Sequence, residues 1–197
     1  FHVPVISHLR LARRCWGGAD WSMVPAFDAQ GLLPDGVYAT DEPELVSRFG
    51  DSGTRNKILG GFIRLRREAE ALGLAGVQWV DGSFVTIKAQ PGDLDVVTFC
   101  DYELLNRLEP SIKGFYARAL SAGKQSVPTY DCDTYATPSC DSNHPYFPIF
   151  ERTRCYWRKH FAALYDPLTG QDVAKDKGFV CLPFGDPSLV RAVSTTR

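Results

Sequence analysis

Residues 80–97 read Val80-Asp81-Gly82-Ser83-Phe84-Val85-Thr86-Ile87-Lys88-Ala89-Gln90-Pro91-Gly92-Asp93-Leu94-Asp95-Val96-Val97. A Gly-Ser pair follows one apolar segment in this run, and an Asp-Leu-Asp triplet opens the next. Because side chains alternate along a strand, Asp93 and Asp95 are predicted to point to the same side of a sheet. The spacing therefore predicts two carboxylates that converge on a cation.

Carboxylate oxygens of this kind suit Mg²⁺ or Mn²⁺, because these ions are commonly held by one or two carboxylates together with phosphate oxygens of a substrate. Gly82 permits close approach of the backbone to a phosphate, and the Ser83 hydroxyl with its neighbouring N–H groups can donate to it. Lys88 lies between the two motifs and is either a further phosphate ligand or an exposed loop lysine. The run thus predicts a site for a phosphate-bearing ligand and a divalent cation.

The flanking segments predict an α+β (α/β-like) fold with a mixed sheet flanked by helices. Apolar residues between Thr54 and Leu72 recur at three- and four-residue steps, which is typical of an amphipathic helix. Short apolar runs at 77–80 and 94–99 predict two strands. The remaining predicted elements are helices at 101–108, 111–122 and 150–164 and strands at 130–136 and 178–183.

Composition excludes several classes of protein. The net charge of -1 gives no general attraction to nucleic acid or anionic lipid, so any nucleic-acid contact must be local. The six cysteines form no CxxC pair, which predicts free thiols and a cytoplasmic location. No apolar stretch approaches the ~18 residues of a membrane span, so no membrane partner is expected.

Residues 1–22 are predicted to be a non-native or flexible N-terminal extension, because they mix arginine and tryptophan without a sustained period and precede Met23, the only methionine. A genuine N-terminal arm is the alternative. Residues 23–197 are predicted to form a single domain.

The order of an apolar strand, Gly82-Ser83, a short connection and Asp93-Leu94-Asp95-Val96 resembles the signature of the DNA polymerase β-like nucleotidyltransferases. That resemblance implies a nucleotidyltransferase core in which Gly82 and Ser83 hold a nucleoside triphosphate. It implies that Asp93 and Asp95 bind the catalytic metals, Mg²⁺ or Mn²⁺.

The same resemblance implies a third carboxylate from a later strand. Asp131 and Asp133 are both available on one face of the strand predicted at 130–136. Asp133 is favoured because it lies deeper in that strand, with Asp131 as the alternative. By that resemblance Asp93, Asp95 and Asp133 are the expected metal ligands and catalytic residues. Three carboxylates entering or lying in otherwise apolar strands would also be costly to bury without a cation or other partners.

A closer resemblance extends from about Val24 to Phe184, to a bacterial nucleotidyltransferase-like family of unknown function. The matching pieces are Phe27-Asp28, Gly31-Leu32-Leu33-Pro34 with Gly36, Asp81-Gly82-Ser83-Phe84-Val85-Thr86, Asp93-Leu94-Asp95-Val96-Val97, Cys132-Asp133 and Lys177-Gly178-Phe179.

Two functions are compatible with these resemblances. The first is metal-dependent transfer of a nucleoside monophosphate from a triphosphate to a hydroxyl of RNA, protein or a small molecule, within a toxin–antitoxin or phage-defence module. The second is a catalytically inactive binding protein on the same fold, such as an antitoxin partner of the product of a neighbouring gene.

The predicted helix at 150–164 has two interpretations. Its basic residues alternate with aromatic ones, and this pattern could face a nucleotide base or an RNA strand. The favoured interpretation is a solvated face, because Phe150, Trp157, Phe161 and Leu164 already form a plausible buried stripe.

Overall fold

The computed structural model describes residues 23–166, 171–173 and 176–186. Within these residues the strands are β1 (Val37–Ala39), β2 (Gly76–Asp81), β3 (Leu94–Asp101), β4 (Cys132–Ser139), β5 (Leu164–Asp166), β6 (Gln171–Val173) and β7 (Phe179–Phe184). The α-helices are α1 (Glu42–Phe49), α2 (Gly53–Ala71), α3 (Tyr102–Arg107), α4 (Pro110–Phe115), α5 (Val127–Tyr130) and α6 (Phe147–Ala162). The predicted extension, residues 1–22, lies outside the described part of the chain.

The central sheet has the strand order β1-β7-β2-β3-β4. β1 runs parallel to β7 and β3 runs parallel to β4, whereas β2 is antiparallel to both of its neighbours. β5 and β6 form a separate antiparallel pair. The predicted mixed sheet flanked by helices is therefore confirmed at this level.

Helix α2 covers one face of the sheet. The Ser52 side chain caps its N-terminus by accepting from the Arg55 N–H at 3.3 Å. Gly73, with a φ of 76°, turns the chain away beyond its last residue. Most of the predicted apolar stripe is buried in the core on this face, namely Ile58, Leu59, Phe62, Leu65 and Ala69. Its last member, Leu72, follows the end of the helix and is half-buried.

Helix α6 covers the opposite face. Phe150 packs edge-on against Phe99 of β3 at 6.3 Å between ring centroids, and Phe161 packs against Phe179 of β7 at 5.5 Å. The helix begins at Phe147, with Pro148 in its first turn, and it ends at Ala162. Leu164 therefore belongs to β5 rather than to the predicted helix.

Some predicted boundaries differ from the structure. β4 begins at Cys132 because Pro128 starts a helical turn at 127–130 and Asp131 adopts a left-handed φ of 53°. The helix predicted at 111–122 begins one residue earlier, at Pro110, since a proline needs no hydrogen bond to its nitrogen in a first helical turn. β1 and α1 were not predicted.

The described cysteines match the predicted state. Cys100, Cys132, Cys140 and Cys181 are buried, Cys155 is exposed, and all five are free thiols. Cys15 lies outside the described residues. Among the described helices, none has the length and apolar character that crossing a bilayer requires.

Candidate functional site

Three carboxylates, those of Asp81, Asp95 and Asp133, lie side by side at one end of the sheet and are named here the carboxylate row. Asp81 of β2 is in register with Asp95 of β3, and Asp95 is in register with Asp133 of β4. The residues two positions away from these carboxylates lie on the same face of the sheet. They are Trp79 of β2, Val97 of β3 and Tyr135 of β4. Since these three belong to the cluster that packs against α6, the carboxylates also lie on the α6 face.

A buried lysine extends this row onto a fourth strand. Lys177, just before β7, forms a salt bridge with Asp81 and donates a hydrogen bond to it. Each residue of the pair is 4% exposed. Burial raises the pKa of Asp81 to about 6, although the Lys177 ammonium group opposes that rise. One cation, just before β7, therefore lies next to a row of three carboxylates on β2, β3 and β4.

The central carboxylate, Asp95, has three other carboxylates that act on it electrostatically. Burial raises its pKa to about 7, and the negative charges of Asp93, Asp81 and Asp133 add to the rise. Asp93 immediately precedes β3 and is half-buried. Asp93 thus acts electrostatically on Asp95, although it lies just outside the strand that carries Asp95.

Asp133 has an unsatisfied oxygen. It is 3% exposed, and its Oδ1 atom is buried without a hydrogen-bond partner. Its other oxygen, Oδ2, accepts from the Tyr135 hydroxyl at 3.4 Å. Burial raises the pKa of Asp133, an effect that the Tyr135 hydrogen bond opposes. A buried carboxylate oxygen without a donor is costly, and a bound cation would remove that cost.

Asp131, the alternative third carboxylate, lies elsewhere. It is the residue after α5, and its side chain pairs with Lys57 of α2 at 2.8 Å. Asp133, rather than Asp131, stands next to Asp95 in the sheet. The geometry therefore brings Asp133 into the row and leaves Asp131 outside it.

Gly82 and Ser83 form the turn that follows β2. Gly82 has a φ of 84°, and a Cβ at this position would collide with Oδ2 of Asp95. Ser83 opens a short 3₁₀ turn, Ser83–Val85, and its carbonyl accepts from the Thr86 hydroxyl at 2.8 Å. The absence of a side chain at Gly82 thus lets the turn approach the carboxylate closely.

Arg55 of α2 holds the loop that continues from this turn. The Arg55 side chain is buried, and it donates at 2.7 Å to each of three loop carbonyls, those of Phe84, Thr86 and Lys88. Lys88 itself is exposed, and within the described residues no ion pair joins its ammonium group to a carboxylate. The backbone of Lys88 is therefore anchored, while its side chain remains in solvent.

Helix α6 lies over the face of the sheet that carries the carboxylates. The Trp157 ring lies 4.6 Å from the ring of Tyr135, which in turn donates to Asp133. His160 is close enough to lower the pKa of both Asp81 and Asp133 electrostatically. The rings of Tyr135 and Trp157 therefore connect Asp133 to the solvent-facing side of α6.

Sequence reasoning missed Asp81 and Lys177 as members of the site. Both appeared in the matching pieces of the resemblance, but no local pattern placed them together. Their contact depends on β7 lying beside β2, and a strand pairing between distant segments leaves no periodic signal.

The donor set is chemically suited to a hard divalent cation. Within the described ranges, no group of three or more His, Cys, Asp or Glu side chains is positioned to hold a metal ion together. Mg²⁺ does not require such a group, since it takes one or two carboxylates and completes its octahedron with water and phosphate oxygens. Asp95 and Asp133, which are adjacent in the sheet, fit this mode, given the unsatisfied Oδ1 atom of Asp133.

Comparison with known proteins gives a family but no activity. No curated protein and no solved structure matches the chain. One family does match over residues 25–183, nearly the span over which the sequence resemblance extends. Since that family's description names no reaction, nucleotidyl transfer remains a prediction. The chain belongs to this family, which is described as a family of unknown function (DUF6932).

Proposed function

We propose that the chain is a metal-dependent nucleotidyltransferase that moves a nucleoside monophosphate from a nucleoside triphosphate to an acceptor hydroxyl. The observation that carries this proposal is the adjacent pair Asp95 and Asp133, in which Oδ1 of Asp133 is buried without a partner. Lys177 is bound to Asp81, so Asp93, Asp95 and Asp133 remain to share a cation.

In this proposal Asp93, Asp95 and Asp133 hold Mg²⁺ or Mn²⁺. When bound, the divalent ion neutralises phosphate charge and polarises the α-phosphate. The backbone N–H groups and hydroxyl at Gly82-Ser83 donate to the phosphates, and Arg55 keeps that loop in place.

The reaction follows from these positions. The acceptor oxygen forms a bond to the α-phosphorus while the bond from that phosphorus to the bridging oxygen breaks, and pyrophosphate leaves with the bonding electrons. The proton of the acceptor hydroxyl passes to the carboxylate of Asp133, which lies beside Asp95 in the sheet. Positioning and charge neutralisation supply the remaining catalysis.

Calorimetric titration of ATP, CTP, GTP and UTP in the presence of Mg²⁺ tests this function. We expect one or more nucleotides to bind the wild-type protein, and we expect Asp95→Asn and Asp133→Asn to abolish that binding. Asp131→Asn is the matched control, because Asp131 pairs with Lys57 outside the row. Absence of nucleotide binding to the wild type, or equal binding by Asp95→Asn, would contradict the proposal.

A further inference from the structure

One side of α6 combines exposed rings with cations. Ile149, Arg152, Tyr156 and His160 are separated by three or four residues, so they lie along one side of the helix, named here the α6 flank. Tyr156 is 57% exposed and Ile149 is 44% exposed. The rings of Tyr156 and His160 stack at 5.9 Å with 5° between their planes. The α6 flank therefore presents flat aromatic surface to solvent.

The α6 flank is continuous with the carboxylate row. Trp157 adjoins it on the side that faces the sheet and contacts Tyr135, the hydrogen-bond donor to Asp133. His160 lies at the end of the flank and acts electrostatically on Asp133. A ligand along the flank would therefore have one end beside the proposed reaction centre.

Charge on α6 differs in sign from the charge at the site. Arg152 belongs to the flank, and Lys159 is exposed beside it. Glu151 is paired with Arg154 by hydrogen bonds of 2.6 and 2.8 Å, so its negative charge is locally balanced. Because the whole chain carries a net charge of -1, the positive charge on α6 is a local feature. The exposed cations on α6 would attract a polyanion along the helix. The neighbouring carboxylates lie where one end of that polyanion would be.

The alternation of aromatic and basic side chains on α6 indicates which class of polyanion fits. Proteins that bind single strands combine basic residues for the backbone with aromatic side chains on which bases stack. From Ile149 to His160 the flank is about 16 Å long, which accommodates a few nucleotides. A duplex hides the faces of its bases, so it cannot use Tyr156 in the same way.

We propose that the α6 flank binds a single-stranded polynucleotide and presents its terminal hydroxyl to Asp133. The binding of this polynucleotide is argued from α6 alone, whereas its role as the acceptor rests on the function proposed above. Tyr156 stacks on a base, and Arg152 contacts a phosphate.

Fluorescence anisotropy with a short labelled oligoribonucleotide of mixed sequence tests the binding, using the full chain without metal or nucleotide. We expect Tyr156→Ala to weaken binding about tenfold, because base stacking is lost, and Tyr156→Phe to retain it. We expect Arg152→Ala to reduce the slope of log affinity against log salt by about 0.7, because one phosphate contact is lost. Arg158→Ala is the matched control, since Arg158 is an exposed arginine on the opposite side of α6.

The proposal is overturned if Tyr156→Ala binds the strand as tightly as the wild type does. It is also overturned if Arg158→Ala and Arg152→Ala have equal effects, or if the duplex of the same sequence binds as tightly as the single strand. Nucleotide calorimetry on the same variants separates the two proposals. Strand binding with this pattern but no nucleotide binding would refute the transferase function and the acceptor role; nucleotide binding without strand binding would refute the α6 proposal alone.

Discussion

Asp95 links the stability of the protein to pH. Its pKa in the folded state is raised to about 7 by burial and by Asp93, Asp81 and Asp133, whereas an unfolded aspartate titrates near about 3.9. Between these values the folded state keeps a proton that the unfolded state has lost. The resulting stabilisation is therefore fully present below the unfolded pKa and is lost as pH rises through the folded pKa.

We predict that the thermal midpoint of the metal-free protein in EDTA falls as pH rises from about 5 to about 7.5, and that Asp95→Asn makes this fall shallower. Asp51→Asn serves as the control, because the Asp51 side chain is 78% exposed. Differential scanning calorimetry across the pH series measures the effect. A wild-type midpoint that is flat or rises over this range would show that Asp95 is not held protonated in the folded state.

Gly82 is the residue at which local geometry and the site are most directly coupled. We predict that Gly82→Ala destabilises the protein by about 1–3 kcal/mol, because a left-handed φ disfavours a side chain and the new methyl group would displace Asp95. Nucleotide binding should be lost together with that stability. Urea unfolding and calorimetry measure the two effects.

Gly92→Ala is the corresponding control for Gly82→Ala. Gly92 is exposed, and a Cβ there would meet no atom within 4 Å. We expect this variant to unfold and to bind nucleotide as the wild type does. If Gly82→Ala behaved like Gly92→Ala, the close approach of the turn to Asp95 would have no consequence for the site.

At the scale of elements, α2 both covers the sheet and fixes the loop after β2. We predict that Arg55→Met costs about 2–4 kcal/mol, because three loop carbonyls lose a charged donor inside the protein. Hydrogen exchange over residues 83–90 should accelerate in this variant. Arg67→Met on the same helix is the control, since the Arg67 side chain is 59% exposed and its surface ion pairs contribute at most about 1 kcal/mol. Equal exchange in both variants would show that Arg55 does not hold the loop.

The elements that sequence patterns predicted are those whose burial follows a local period. The apolar stripe of α2 runs from Ile58 to Ala69, about three turns of the helix, and β2 and β3 are short apolar runs bounded by glycine, proline or charged residues. Helix α1 was missed because only Leu45 and Phe49 are buried in its eight residues, which is too few to define a period. β1, with three residues, is shorter still.

At the scale of the whole molecule, the site depends on strands that are distant in sequence. The spacing of Asp93 and Asp95 is local, so it could be predicted, and the resemblance supplied Asp133. The salt bridge between Asp81 and Lys177 joins residues 96 positions apart and requires β7 to lie between β1 and β2. Nothing in the local sequence around Lys177 specifies that strand order, which explains why the cation of the row was not foreseen.

This long-range pair ties the last strand of the sheet to its centre, and a double-mutant cycle measures the coupling. We predict that Lys177→Met and Asp81→Leu each cost about 3–5 kcal/mol, because each leaves one buried charge without its partner. The double variant should recover much of that loss, because it buries neither charge and leaves Asp95 with one fewer anionic neighbour. Urea unfolding supplies the free energies. The surface pair Arg67–Glu70, whose side chains are 59% and 24% exposed, should show coupling below about 1 kcal/mol when it is mutated in the same way. Strictly additive losses at Lys177 and Asp81 would mean that the two side chains do not neutralise each other in the folded protein, and the row would then hold three uncompensated carboxylates, which increases its need for a bound cation.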